Sequence, residues 1–309
     1  MSKQVKANTM LILAAMIWGS AFVAQTVGME YVGPFTLQAC RCLLGALVLL
    51  PVIALMNRSK GRAAVPASPQ YKKDLWIAGV LCGVILFVAS SLQQFGLLYT
   101  TAGKSGFITA LYVVLVPVFS LILGKKAPLT VWIGVTMAAV ALYLLCVNER
   151  FTIGRGELLT LACALGFSFH ILVIGHFSGR VDGVKLSCIQ FFVSGLLGLV
   201  CMFLFEKPNW TSILKCWLPI CYAGILSCGV AYTFQILAQK NTKPTIASLL
   251  LSLESVFAVL SGAVLLHERL AFKEYLGCAL MFGAIVLAQL PDRKKVSIPE
   301  ESVQQFQQL

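Results

Sequence analysis

One carboxylate stands out in an otherwise apolar stretch of this chain. Glu254 lies near the middle of KPTIASLLLSLESVFAVLSGAVLLHERL (Lys243–Leu270), a segment of membrane-spanning length. An ionised side chain at the centre of a bilayer costs at least ~2.5 kcal/mol, so it faces a partner or a water-filled cavity. Arg41, in the segment CRCLLGAL, is the one base deep in a predicted span. Together these residues predict a polar path through lipid.

Arg41 and Glu254 are predicted at similar depths. With a rise of 1.5 Å per residue, their depths differ by less than ~10 Å, which a long guanidinium can bridge. The functional interpretation is a charge pair that substrate or protons break. The structural alternative is a permanent pair that holds the second and ninth predicted spans together. For Glu254 the functional interpretation is favoured, because a carboxylate in a cavity also binds amines or protons.

Further polar and aromatic residues are predicted at depth. His170 is a candidate proton relay, because imidazole exchanges protons near neutral pH, and an interhelical hydrogen bond is the alternative. Aromatic side chains could line a pocket, although most aromatics in such chains pack or lie at the membrane interface. The aromatic candidates are Trp18, Trp76, Tyr112 and Tyr232. The amide candidates are Gln93, Gln94, Gln190 and Gln235.

Motifs for other chemistries fail on inspection. AGKS (Ala102–Ser105) resembles the end of a P-loop, but Leu98 stands where that loop needs glycine. HERL (His267–Leu270) lacks the second histidine of a zinc helix, and the chain has no GxSxG nucleophile motif. The 11 cysteines lie mostly inside apolar runs and are interpreted as packing residues. We therefore expect no enzyme, no ATP-driven pump, no metal and no cofactor.

Composition indicates a polytopic membrane protein. Of the 309 residues 59% are hydrophobic and 12% are charged, whereas a soluble domain carries about 25% charge. The net charge of +12 comes from basic residues that stand singly or in pairs at the ends of apolar runs. That distribution suits lipid headgroups and argues against a nucleic-acid partner.

About ten transmembrane helices fit this length. The predicted spans are 9–27, 34–56, 74–97, 105–124, 128–147, 156–176, 184–205, 214–237, 244–266 and 272–290. The fifth and tenth carry almost no polar residues and are expected outside the others, which surround the cavity. Lysine and arginine favour the side of the N-terminus by roughly two to one, which predicts that both termini are cytoplasmic. A polar cytoplasmic tail, 291–309, is expected to be disordered.

Two sequence repeats indicate related halves. LVPVF (Leu115–Phe119) aligns with LESVF (Leu253–Phe257) at an offset of about 138 residues. LAAMIWGSAF (Leu13–Phe22) aligns with LACALGFSFH (Leu161–His170) at an offset of about 148. Because each half, 10–147 and 156–290, holds five spans, the second copy enters the membrane in the opposite direction. Transporters are often built from such inverted repeats, with substrate sites near the midplane.

The chain resembles the EamA family of the drug/metabolite transporter superfamily over nearly its whole length. The resemblance is carried by WGSAF (Trp18–Phe22), the Arg41 segment, LESVFAVLSGAVLLHERL (Leu253–Leu270) and Gly277. The family pattern usually has proline where this chain has Ser255.

The first half departs further from that pattern. It has Pro117 at the position matching Ser255, and Lys125 where the acid matching Glu268 would stand. A role for the LHER segment is therefore supported in the second half only.

The resemblance implies an all-α membrane protein of two inverted five-helix repeats around a central cavity. It also implies a secondary transporter in the bacterial plasma membrane that exports small metabolites, such as amino acids, by alternating access. The expected partners are a small-molecule substrate and lipids, with protons as a candidate coupling ion and a homodimer as an open alternative. The remaining alternatives for function are a membrane sensor or scaffold and an intramembrane enzyme.

Overall fold

Helices account for the regular structure of this chain, as lipid requires of a backbone that must satisfy its own hydrogen bonds. The computed structural model describes residues 3–59, 68–124, 129–146, 154–267 and 272–289, and these ranges contain no strand. The helices are α1 (Lys3–Met29), α2 (Pro34–Ser59), α3 (Pro69–Leu97), α4 (Ala102–Thr109), α5 (Tyr112–Ile122), α6 (Leu129–Cys146), α7 (Arg155–Phe177), α8 (Gly183–Phe205), α9 (Trp210–Lys215), α10 (Trp217–Cys221), a π-helix (Tyr222–Tyr232), α11 (Thr233–Gln239), α12 (Pro244–Leu251), α13 (Leu253–Leu265) and α14 (Phe272–Gln289).

Within the described residues, eight segments are long and apolar enough to cross a bilayer, which confirms a multi-pass membrane protein. Five are single helices, α1, α2, α3, α7 and α8, and three are the composite segments Ala102–Ile122, Trp217–Gln239 and Pro244–Leu265. The remaining two predicted spans, 128–147 and 272–290, coincide with α6 and α14. The apolar parts of these two helices are shorter, Trp132–Ala141 and Tyr275–Ala284. The predicted tail, 291–309, lies outside the described residues.

Two helices begin earlier than hydropathy predicted. α1 begins at Lys3 and α3 at Pro69, whereas the predicted spans began at residues 9 and 74. Both extensions carry lysines, which are good helix formers that hydropathy excludes from a span. Ser68 also caps α3, accepting a hydrogen bond from the Tyr71 N–H at 3.1 Å.

The fourth and ninth predicted spans are broken. From the sequence, Pro117 is expected to kink the fourth span, but the positions of the two breaks were not predicted. In the first, the amides of Val113 and Val114 donate to carbonyls three residues back, between α4 and α5. Pro117 lies within α5, and its ring pushes away the carbonyl four residues upstream. In the second, the Ser252 hydroxyl donates to the Leu249 carbonyl at 2.7 Å. Such local side-chain bonds compete with the regular helix.

Small residues let the central helices approach closely. A Cβ added to Gly83 of α3 would lie 2.7 Å from Val193 Cβ of α8. A Cβ on Gly195 of α8 would lie 2.8 Å from Leu43 of α2. These glycines therefore allow close backbone approach, as expected where no hydrophobic effect drives helices together. The same bundle packs α3 on α7, α1 on α13 and α6 on α14.

Candidate functional site

A buried cavity lies between the helices of the two halves. Its volume is about 40 Å³, room for a few water molecules. Its lining includes eight of the eleven candidate residues named from the sequence, namely Trp18, Arg41, Gln93, Tyr112, His170, Tyr232, Gln235 and Glu254. It also includes residues that the sequence analysis did not select, namely Ala21, Phe22, Gln25, Thr109, Phe167, Ile171 and Ser227. None of these side chains comes from α6, α8 or α14. For α6 and α14, the fifth and tenth predicted spans, this agrees with the outer position expected of them. α8, the seventh predicted span, was expected to line the cavity and does not.

Both helix breaks open onto this cavity. Thr109 ends α4, Tyr112 begins α5, and Glu254 lies in the first turn of α13. A carboxylate near a helix N-terminus is stabilised by the unpaired amides there. Broken helices with polar groups at their ends are a common design of substrate sites in membrane transporters.

Glu254 is buried without a full set of partners. Only 4% of its surface is exposed, and its Oε1 atom accepts no hydrogen bond. The Tyr112 hydroxyl, in the same cavity, is also buried and makes no hydrogen bond. Unsatisfied buried polar atoms are rare and costly in folded proteins, so they call for an explanation.

Arg41 has a different set of partners from the one predicted. Its Nη1 donates to Gln25 Oε1 at 2.8 Å, and its Nε and Nη2 donate to Gln38 Oε1 at 2.9 and 2.6 Å. The partners of this guanidinium in the described chain are thus two neutral amides, with no ion pair to Glu254. The predicted charge pair is therefore absent from this structure. The amides take three of the five N–H donors of the guanidinium, which leaves two for another acceptor.

Gln38 connects this network to the second half of the chain. Its Nε2 donates to Ser194 Oγ of α8 at 2.9 Å and to Cys42 Sγ at 3.4 Å. The sequence analysis missed Gln25 and Gln38, although the spacing of Gln38 and Arg41 signals the contact. Residues three apart share one face of a helix.

His170 and the remaining glutamines differ in whether they have hydrogen-bond partners. His170 Nε2 lies 3.1 Å from Gln190 Oε1, so the interhelical hydrogen bond that the sequence left as an alternative is present. Gln190 contacts His170 but does not itself line the cavity. Gln93 Nε2 donates to Thr109 Oγ1 at 3.1 Å. Gln94 is fully buried outside the cavity, and neither of its amide atoms has a partner.

Aromatic rings form one wall of the cavity. The ring centroids of Trp18 and Tyr232 are 4.5 Å apart, and His170 meets Tyr232 edge-on at 5.8 Å. Trp76, also considered for such a pocket, is 58% exposed on the outside of the bundle. Its exposure fits the alternative of an aromatic anchor at the membrane interface.

Comparisons with known proteins agree with this architecture. A family model described as the EamA-like transporter family matches residues 5–147 and 154–290. An uncharacterized transporter of Archaeoglobus fulgidus is 31% identical, over 93% of this chain and 87% of its own length. YoaV, an uncharacterized transporter of Bacillus subtilis, is 23% identical over 92% and 96%. YedA, an uncharacterized inner membrane transporter of Escherichia coli, is 22% identical over 89% and 88%.

A solved crystal structure shares the fold, with a TM-score of 0.74 and 22% identity over 93% of this chain and 97% of that one. The family model covers both halves, and the Archaeoglobus fulgidus relative is similar along nearly the whole chain. The relatives carry transporter names, in agreement with the expectation of a carrier rather than an enzyme. The chain belongs to the EamA-like transporter family.

Proposed function

We propose that this protein is a secondary exporter of small zwitterionic metabolites, such as amino acids and their derivatives, that works by alternating access. The observation that carries the proposal is a single cavity lined by a guanidinium and a carboxylate that do not pair with each other. Each charge is then available to the opposite charge of a substrate.

Arg41 is the proposed anchor for the carboxylate. A buried charge is expensive unless it is paired, and neutral amides offset only part of the cost of removing a guanidinium from water. The carboxylate of a substrate can supply the missing negative charge, because a guanidinium binds a carboxylate with two parallel hydrogen bonds. Gln25 and Gln38 fix the orientation of the guanidinium without neutralising it.

Glu254 is the proposed anchor for the ammonium group or for a coupling proton. Its Oε1 and the Tyr112 hydroxyl, both buried in the cavity without a hydrogen bond, can together receive a cation. The Trp18–Tyr232 wall adds ring faces, which attract ammonium groups. A proton and an ammonium group that compete for one carboxylate would couple export to proton entry.

The volume of the cavity supports alternating access. Pockets for small molecules have volumes of about 300–1,000 Å³, whereas this cavity has about 40 Å³. Substrate can therefore enter only after the helices move apart. Close contacts of Gly19 and Gly106 with α13 seal part of the wall, and helices packed through glycine can separate without repacking large side chains.

The proposal includes ten transmembrane helices in two inverted five-helix repeats, 10–147 and 156–290. The repeated sequence motifs support it, and so do the breaks in α4–α5 and α12–α13, which interrupt corresponding spans. The bias of basic residues supports cytoplasmic termini in a bacterial plasma membrane. Export is the direction that the family resemblance implies.

Reconstitution tests the proposal directly. Proteoliposomes loaded with unlabelled amino acid should accumulate the labelled form by counterflow. A pH gradient with the lower pH on the side opposite the substrate should drive a net flux of the substrate. A panel of amino acids, amines and carboxylates, tested at equal concentration, identifies the chemical class of the transported substrate. The proposal fails if no zwitterion exchanges above protein-free liposomes while a purely anionic or cationic compound does.

A further inference from the structure

A second cavity lies at one end of the bundle, between the start of α1 and the end of α11. Its volume is about 360 Å³, large enough for a small polar group and the carbon atoms attached to it. Its lining residues are Lys3, Lys6, Ala7, Met10, Leu237 and Asn241. The walls therefore come from the first and second halves of the chain.

The rim of this cavity is cationic. Lys3 and Lys6 are three residues apart and share one face of α1, and both are exposed. Across the cavity, Asn241 lies between Lys240 and Lys243 in the sequence; both lysines are exposed, although neither lines the cavity. The six lining residues include no acid. Phosphate oxygens fit such a rim, because they accept hydrogen bonds from ammonium and amide groups.

The floor of the cavity is apolar. Ala7, Met10 and Leu237 lie beneath the cationic rim, where α1 changes from its polar start to its membrane-spanning part. A charged rim above an apolar floor matches a molecule with an anionic head and a hydrocarbon body. A free phosphate ion would use the rim alone and leave the floor in contact with water.

The two walls are joined. Gln4 Nε2 donates to Thr242 Oγ1 at 3.2 Å and so links α1 to the segment before α12. Thr242 is buried and Gln4 is exposed, so this link lies at the edge of the protein interior. The rim lysines are thus held around a defined space rather than on independent loops.

We propose that this cavity binds the headgroup of an anionic phospholipid, with the start of an acyl chain against Met10 and Leu237. Basic pockets between transmembrane helices are known binding sites for anionic lipid headgroups. The lipid bridges the two halves of the chain at this end of the bundle. Its binding does not depend on the transported substrate.

Lipid retention tests the proposal in the full-length protein. Protein exchanged into detergent with equal phosphatidylglycerol and phosphatidylcholine is analysed by native mass spectrometry. We expect wild type to retain phosphatidylglycerol at least fivefold over phosphatidylcholine. The double variant Lys3→Gln/Lys6→Gln should lose that preference. Equal retention of both lipids by wild type would overturn the proposal.

A matched control comes from α3. Lys72 and Lys73 are exposed at the same end of the bundle but line no part of this cavity. Their double glutamine variant removes the same charge and should retain phosphatidylglycerol as wild type does. An equal loss in both double variants would indicate general charge attraction and contradict the proposal.

A second variant covers the case in which the lysine variant does not insert. Asn241→Asp adds a carboxylate to the rim without changing the start of α1, and should lower phosphatidylglycerol retention several-fold. Millimolar inorganic phosphate or glycerol phosphate should not displace the lipid. Displacement by either would identify a soluble phosphate site and overturn the lipid assignment.

Discussion

The two charged ends of the central cavity are built in opposite ways. At one end every side-chain nitrogen of Arg41 donates to an amide of Gln25 or Gln38. At the other end Glu254 Oε1 and the Tyr112 hydroxyl are buried and unpaired. The first end lies within continuous helices, and the second lies where two spans are broken.

This difference suggests different roles for the two ends. A guanidinium already held in place can receive a carboxylate with little reorganisation, which favours binding. A carboxylate with a free oxygen at a helix break can exchange its cation as the helices move. We therefore expect changes at the Arg41 end to alter affinity, and changes at the Glu254 end to alter turnover and pH response.

Glu254→Gln should have the largest effect. The amide keeps the shape of the side chain but carries no charge and takes up no proton, so transport should fall at least ~100-fold or lose its pH dependence. Initial flux in proteoliposomes at two pH values measures this, with equal membrane insertion as a condition. Glu30→Gln, at an exposed loop position, is the control and should transport normally. Normal flux with a normal pH response in Glu254→Gln would remove this carboxylate from the mechanism.

Arg41→Ala should weaken substrate binding next most strongly. Hydrogen bonds to a charged group contribute about 1.5–3 kcal/mol, so KM should rise about 10- to 100-fold with a smaller change in turnover. The measurement is concentration-dependent flux together with the yield of folded protein. Arg180→Ala, at an exposed loop position, serves as control. A lower yield with unchanged KM would support a purely structural role for Arg41.

Gln38→Glu should have an intermediate effect that separates orientation from charge. The new carboxylate remains in reach of the guanidinium but supplies an internal counterion, so the substrate carboxylate must compete with it. KM should rise about tenfold while thermal stability is kept or raised, because the buried charge is now paired. Asn57→Asp, an exposed change on α2 that also adds one carboxylate, should alter neither quantity. An unchanged KM in Gln38→Glu would show that Arg41 does not bind the anionic group.

Tyr112→Phe should have the smallest effect. Its hydroxyl makes no hydrogen bond in this closed arrangement, so removing it should leave the melting temperature within about 2 °C of wild type. Transport should fall a few-fold, because the hydroxyl is expected to bind substrate or Glu254 once the cavity opens. Loss of stability without loss of transport would contradict that role.

The sequence was sufficient to identify the membrane class, eight of the spans and about half of the residues that line the cavity. Polar residues inside apolar spans are rare, and the cost of exposing them to lipid directs nearly all of them inward. Gln94 and Gln190 show the limit of that argument. Both are buried, yet Gln94 lies outside the cavity and Gln190 supports His170 from behind.

The partners of Arg41 could not be derived from depth alone. Gln25 and Glu254 were both within the reach of a long side chain, and the choice between them depends on how each helix is rotated about its axis. The helix breaks were hidden for a related reason. Ser252 and the residues before Pro117 sit in continuous apolar runs, and hydropathy does not detect a change in backbone hydrogen bonding.

Ligand binding to the purified protein tests the central claim most directly. A transported amino acid is compared with its amide, which lacks the carboxylate, and with its N-acetyl form, which lacks the ammonium group. Wild type should bind the zwitterion best, Arg41→Ala should no longer distinguish acid from amide, and Glu254→Gln should no longer distinguish free from acetylated amine. Equal weakening of all three ligands by both substitutions would contradict separate anchors for the two charges.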